Sequence, residues 1–243
     1  MANVARRPVE YANKDIVSIF DHFTWFVTAH LWTSLAADGG ASVAVGDAAS
    51  GVVVLTSGGT DNNEACIRTT NELFLGAAGK PFSGVAKIQY SEAATDAANV
   101  LVGFVSALAA NTLVDDGGGV RTSGSVFAVF KKDGETEWRL HTRNGSTYTE
   151  ALSSTTAGGS GYQEIEIFVD EYSTTECVVT AKVNGDWLKY AVSAGEGIAG
   201  QVISHRVAYS SLTEMNFGVY VKCGTSASQV VNVDLAGAAQ NVI

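Results

Sequence analysis

The sequence predicts an all-β chain: an antiparallel two-sheet sandwich of the jelly-roll or concanavalin-like kind, preceded by an extended N-terminal arm. Three observations predict it. Apolar and polar residues alternate with period two over short runs. Asx-Gly dipeptides fall between several of those runs. Glycine is abundant (26) and proline scarce (2), which suits tight turns and not stiff linkers.

Taken in chain order, Met1–Ile16 reads as the arm. The next stretch, Phe20–Trp32, is dense in aromatic rings (Phe20, Phe23, Trp25, Phe26, Trp32) with His22 and His30 among them. Its period is neither two nor 3.6, and it is expected to be the first segment to enter the core. Gly51–Ser57, Ala65–Thr70, Val85–Tyr90 and Val100–Ala107 read as strands. Glu72–Ala78 reads as a helical turn or a strand, and Asn111–Gly119 as a loop rich in Asp and Gly.

Hairpins are expected at three dipeptides. Asp133-Gly134 divides Ser125–Lys132 from Glu135–Arg143, and Asn144-Gly145 divides that strand from Ser146–Leu152. Asn184-Gly185 divides Cys177–Val183 from Asp186–Val192. Each dipeptide suits a type I′ turn, which needs positive φ at both central residues. Along Gln163–Asp170, Ile165, Ile167 and Val169 are expected to face the core, with Glu164, Glu166, Phe168 and Asp170 outward. The inward sets of the later strands are Cys177, Val179, Ala181 and Val183; Phe217, Val219 and Val221; and Val231, Val233 and Leu235. Each of these strands is expected to have one buried and one wetter face. No linker or internal repeat interrupts the pattern, so residues 17–243 are expected to form one domain behind the arm, residues 1–16. About a dozen strands exceed what an immunoglobulin domain needs.

Composition excludes several functions. A net charge of −10 repels phosphate, so nucleic acid is not an expected partner. No run approaches a membrane span, and the N-terminus lacks the apolar stretch of a signal peptide, so synthesis in the cytoplasm is expected. Cys66, Cys177 and Cys223 are far apart, with no C-x-x-C pair, and are expected to be buried free thiols.

The chemistry-bearing candidates are few. Glu164 and Glu166 lie at a spacing that glycosidase carboxylates tolerate, but a solvated strand face explains them as well. Asp61, Asn63, Glu64, Asp115 and Asp116 are oxygen donors in loops, weak candidates for calcium that also make good turns. His22, His30, His141 and His205 are scattered, and His141 is expected on a solvated face with Glu137, Arg139 and Arg143. Of the tryptophans, Trp138 is expected in the core and Trp187 half exposed, where it can serve a subunit contact or stack on a sugar. No P-loop, nucleophile elbow or dinucleotide fingerprint occurs, and no cofactor is expected.

Several short pieces carry a resemblance. They are Asp61-Asn62-Asn63-Glu64-Ala65, Thr69-Thr70-Asn71-Glu72-Leu73-Phe74, Ala78-Gly79-Lys80-Pro81 and Ala98-Asn99-Val100 with Val102-Gly103-Phe104. To these are added Asp115-Asp116-Gly117, the Lys131–Trp138 hairpin and Thr213-Glu214-Met215-Asn216. Together they resemble a family of structural proteins of tailed-phage particles, over about Phe20–Ala236. The resemblance implies a non-enzymatic capsid decoration (cement) protein on the virion surface. Its partners would be the major capsid protein and further copies of itself, with a trimer expected. Arg6, Arg7 and Tyr11 of the arm, with Trp187, are the candidate contact residues. The alternative is a carbohydrate-binding sandwich module of a tail or fibre.

Overall fold

The structure is a computed structural model that describes residues 16–49, 51–92, 97–145, 147–192 and 197–241. The strands in chain order are β1 (Ile16–Asp21), β2 (Trp32–Ala36), β3 (Ser42–Val45), β4 (Val53–Thr56), β5 (Glu64–Thr69), β6 (Phe82–Ser91), β7 (Ala98–Val105) and β8 (Ser125–Lys131). They continue with β9 (Glu137–Asn144), β10 (Thr147–Thr156), β11 (Gln163–Glu171), β12 (Glu176–Val183), β13 (Asp186–Trp187), β14 (His205–Ala208), β15 (Asn216–Cys223) and β16 (Val230–Asn241).

These strands form two antiparallel sheets packed as a sandwich. One has nine strands in the order β13-β12-β11-β6-β16-β4-β3, with β1 also on β16 and β14 also on β12. The other has seven, in the order β10-β9-β8-β7-β15-β5-β2. The core between them is apolar and continuous. At its centre Phe104 meets Phe82, Phe217 and Phe74 at centroid distances of 4.8, 4.9 and 5.1 Å. Gly84 makes room for this cluster, since a Cβ there would lie 2.4 Å from the Phe217 ring. Trp138 is fully buried, as expected, and its indole N–H donates to Gln163 Oε1 at 3.1 Å.

Alternation holds where one face meets water. Ile165, Ile167 and Val169 of β11, and Cys177, Val179, Ala181 and Val183 of β12, all face the core. It fails in the seven-stranded sheet. Every residue of β7, β8 and β15 is buried, so Asn216–Lys222 has no wet face. The cause is the long connection 106–124, which lies over the outer face of that sheet. Its Leu108, Leu113 and Val120 join Cys66, Leu101, Val105, Val126, Ala128, Phe130 and Tyr220 in a second apolar cluster.

Three further expectations are corrected. In β16, Val233 pairs with Ile88 while Leu235 pairs with Lys87. The extra residue is a β-bulge, so Leu235 turns outward and Ala236 and Ala238 take the core positions. Only Asn184-Gly185 has positive φ at both positions (54° and 84°); at the other two dipeptides only the glycine does. Asn144 pairs with Thr147 and is therefore strand, which moves the turn one residue on. Glu72–Ala78 is neither helix nor strand and holds only an isolated bridge between Phe74 and Met215.

Candidate functional site

The connection from β1 to β2 crosses from one sheet to the other. Its course is set locally. Asp21 Oδ1 accepts the Phe23 N–H at 2.7 Å, and Phe23 and Ala29 take left-handed φ values of 52° and 65°. Phe23 and Trp32 are driven into the core, 0% and 2% exposed, with ring centroids 5.5 Å apart. Gly51 lets the loop sit tightly, since a Cβ there would lie 2.4 Å from the His22 carbonyl oxygen. The Leu31 carbonyl is held by the Thr70 N–H at 3.0 Å.

Two buried rings thus anchor a loop whose middle stays outside. Trp25 is 69% exposed, with Val27 and Leu31 also exposed. Trp25, Phe26, His30, Trp32 and Asp21 line a cleft of about 110 Å³ together with Val27 and Leu31. Two of its polar groups are unspent. The buried Trp32 indole N–H has no hydrogen-bond partner among the described residues. The Asp21 carboxylate makes one bond, to the Phe23 N–H, and no ion pair among the described residues. A buried donor without a partner costs about 1–3 kcal/mol, so a ligand oxygen that reaches it gains that much in return. An exposed indole face beside such groups is the arrangement that grips an amphipathic ring: apolar contact on the flat side, hydrogen bonds at the edge.

A larger cleft of about 270 Å³ lies where β9 and β10 approach β14. Two of its polar side chains, Thr142 and Asn144, are engaged in joining the sheets. Thr142 Oγ1 bonds His205 Nδ1 at 3.1 Å, and Asn144 Nδ2 donates to the Ala208 and Ser210 carbonyls at 3.3 and 3.5 Å. Beside it, β9 corrects the expectation of a solvated face. His141 and Arg143 are buried against side chains of the neighbouring strand β10: the Tyr148 ring stacks on His141 at 5.6 Å with Arg143 4.8 Å from its centroid. Glu150 binds His141 Nδ1 and Arg139 Nη1, both at 3.0 Å. Burial opposes the Glu150 charge, but the bonds and charges of His141, Arg139 and Lys132 outweigh it and hold the carboxyl below its ordinary range. Burial, aided by the nearby His141, pushes His205 down to about 4 and keeps its imidazole neutral.

The candidate metal ligands are placed as follows. Asn62 and Asp116 bond each other, and Asn63 Nδ2 donates to the Gly39 carbonyl. Glu64 and Asp115 are brought together by Lys222, whose ammonium lies 3.3 Å from Glu64 Oε2 and 2.5 Å from Asp115 Oδ1. It also donates to Asn111 Oδ1 and the Leu113 carbonyl, while Tyr220 donates to Glu64 and Asn111 N–H reaches the same carboxylate. A lysine ammonium thus takes the central place a cation would occupy, and it pins the connection 106–124 to the sheet. Asp61 is exposed and stands apart. Among the described residues no group of three or more His, Cys, Asp or Glu is arranged to hold a metal.

Glu164, Glu166 and Asp170 lie on the outer face of β11, where Glu164 pairs across with Lys87 and Glu166 with Lys182. Trp187 is 40% exposed and packs on Phe168 at 5.6 Å, with the Lys182 ammonium 4.5 Å from its ring. Arg6, Arg7 and Tyr11 lie outside the described residues. The three cysteines are free and buried, and burial pushes the Cys66 thiol up to about 12 and Cys177 to about 11. The role of Asp21 and the exposure of Trp25 were missed from sequence. The only signal was that aromatic residues crowd a stretch without periodicity.

No family model and no curated protein matches the chain. Solved structures do. The endo-1,3-β-glucanase of Streptomyces sioyaensis superposes with a TM-score of 0.58 at 14% identity, over 93% of this chain and 97% of its own. Lectin I of Ulex europaeus, solved with the methyl glycoside of α-L-fucose, gives 0.57 at 13%, over 94% and 99%. The carbohydrate recognition domain of Emp47p gives 0.55 at 11%, over 93% and 95%. At such identities the likeness establishes the fold, a lectin-like sandwich, which both binding proteins and enzymes use.

Proposed function

We propose that the chain is a non-catalytic carbohydrate-binding sandwich that seats a sugar ring against Trp25. The observation that carries the reading is the aromatic cleft in which, among the described residues, the Trp32 N–H has no partner and Asp21 no ion pair. The lectin and the carbohydrate recognition domain that share the fold support it by analogy. Binding without turnover is favoured because, among the described residues, Asp21 is the one carboxylate lining the cleft, whereas glycoside hydrolysis usually uses two. Of the outward acids of β11, Glu164 and Glu166 each lie opposite a lysine in the ladder. The test is a glycan array followed by titration calorimetry of the hits. Trp25→Ala is expected to abolish binding and leave the melting temperature unchanged, since the ring is exposed. An array without hits, or hits indifferent to Trp25, refutes the reading.

A second reading is decoration of a phage capsid, with the major capsid protein and further copies of this chain as partners. It draws on the sequence resemblance and on Trp187, which stands half exposed with Phe168 on an outer sheet face. It predicts stoichiometric recovery in purified particles. Absence from particles eliminates it and leaves the glycan reading untouched.

A further inference from the structure

We infer that the sugar held by the Trp25 cleft carries a protonated amine, as in a deacetylated amino sugar; this rests on the glycan reading of the same cleft. The argument starts from charge. Asp21 lines the cleft and no described cation pairs with it. Trp25, Phe26 and Trp32 line the same space, and aromatic faces attract a cation through their quadrupoles. The protein as a whole carries −10, so its field concentrates cationic ligands and not anionic ones.

A bare ammonium satisfies only half of the site. The Trp32 indole N–H is a buried donor without a partner among the described residues, and its ring lines the cleft. An amino sugar brings both parts at adjacent ring positions: an ammonium that donates to Asp21 and a hydroxyl or ring oxygen that accepts from Trp32. A lysine side chain or a quaternary amine offers no acceptor beside its charge. A neutral hexose supplies the acceptor but leaves Asp21 without a counter-charge. The volume of about 110 Å³ admits part of one ring, so a terminal or looped-out residue is the unit recognised.

The test compares three tetrasaccharides by titration calorimetry at pH about 6, where a sugar amine is protonated. They are the β-1,4-linked tetramers of glucosamine, N-acetylglucosamine and glucose. The glucosamine tetramer is expected to bind about tenfold or more tightly than the other two, and the advantage should shrink with added salt. Asp21→Asn keeps an oxygen for the Phe23 N–H and so spares the loop, while removing the charge. It is expected to erase the tenfold preference. Trp25→Ala is expected to abolish binding of all three. Equal, Trp25-dependent binding of the three tetramers overturns the amine inference and keeps the glycan reading. A preference that survives in Asp21→Asn also overturns it. Binding of none of the three, together with an empty glycan array, sinks both.

Discussion

Replacing Lys222 by methionine tests whether the buried ion network fastens the connection 106–124. The ammonium is fully buried and serves four acceptors: Glu64, Asp115, Asn111 Oδ1 and the Leu113 carbonyl. Methionine matches the stem in length and apolar character, so packing is largely kept and the loss is electrostatic. Asp115 is half exposed and rehydrates at little cost. Glu64 is not, with only 3% of its side chain exposed, and it keeps only the Tyr220 hydroxyl and the Asn111 N–H. Removing one partner of a buried pair costs about 3–5 kcal/mol, which sets the expected loss in urea denaturation. For a domain stable by about 5–15 kcal/mol this is a large fraction. Adding Glu64→Gln to Lys222→Met removes the stranded charge and should recover about half or more of the loss. The single variant should also raise hydrogen exchange in 106–124 before the rest of the protein opens. A loss below about 1 kcal/mol, or a double variant no better than the single, refutes the reasoning, for it would mean that water already reaches Glu64.

Other outcomes follow from the same structure. His205 has a folded-state value of about 4 against an ordinary 6.5, so the unfolded chain binds its proton first as pH falls. Its contribution is complete above pH 6.5 and is lost on going down to about 4, a change of about 3 kcal/mol that His205→Gln should remove from the pH–stability curve. Gly84→Val should overpack the Phe104–Phe217 contact and cost about 1–3 kcal/mol in thermal or chemical denaturation; a neutral result would show that the aromatic cluster has slack. Asn184→Ala puts a residue averse to positive φ into the β12–β13 turn and deletes the bond from the Glu164 N–H. It should cost about 1–3 kcal/mol by the same assay, with Asn184→Gly recovering the backbone part.

What was legible in the sequence was whatever a single strand decides for itself. β11 and β12 alternate because one side meets the core and the other meets water, and both inward sets were readable to the residue. The turn at Asn184-Gly185 was readable because only a few residues tolerate two successive positive φ values. Legibility ends where a distant segment changes the environment. β7, β8 and β15 lose their wet face to Leu108, Leu113 and Val120, which arrive from a connection that reads as a polar loop. His141 and Arg143 look solvated until Tyr148 and Glu150 of the neighbouring strand cover them. The bulge at Asp234 hides because one inserted residue reverses every inward assignment after it.

The same covering of the sheet explains where a site can lie. On the outer face of the seven-stranded sheet the charged groups are committed to one another: Lys222 to Glu64 and Asp115, Glu150 to His141 and Arg139. A ligand there must first displace the connection 106–124 and break ion pairs worth several kcal/mol. The loop between β1 and β2 carries no such obligation. Phe23 and Trp32 hold it in the core with Phe26 packed against them, so the exposed Trp25 and His30 are free to vary at almost no cost in stability. Selection on a binding surface acts most easily at such a place, where the anchors and the contacts are different residues. The exchange of Trp25 therefore separates the two roles: it should change what the protein holds without changing how firmly it is folded, whereas exchange of the anchor Phe23 should lower stability.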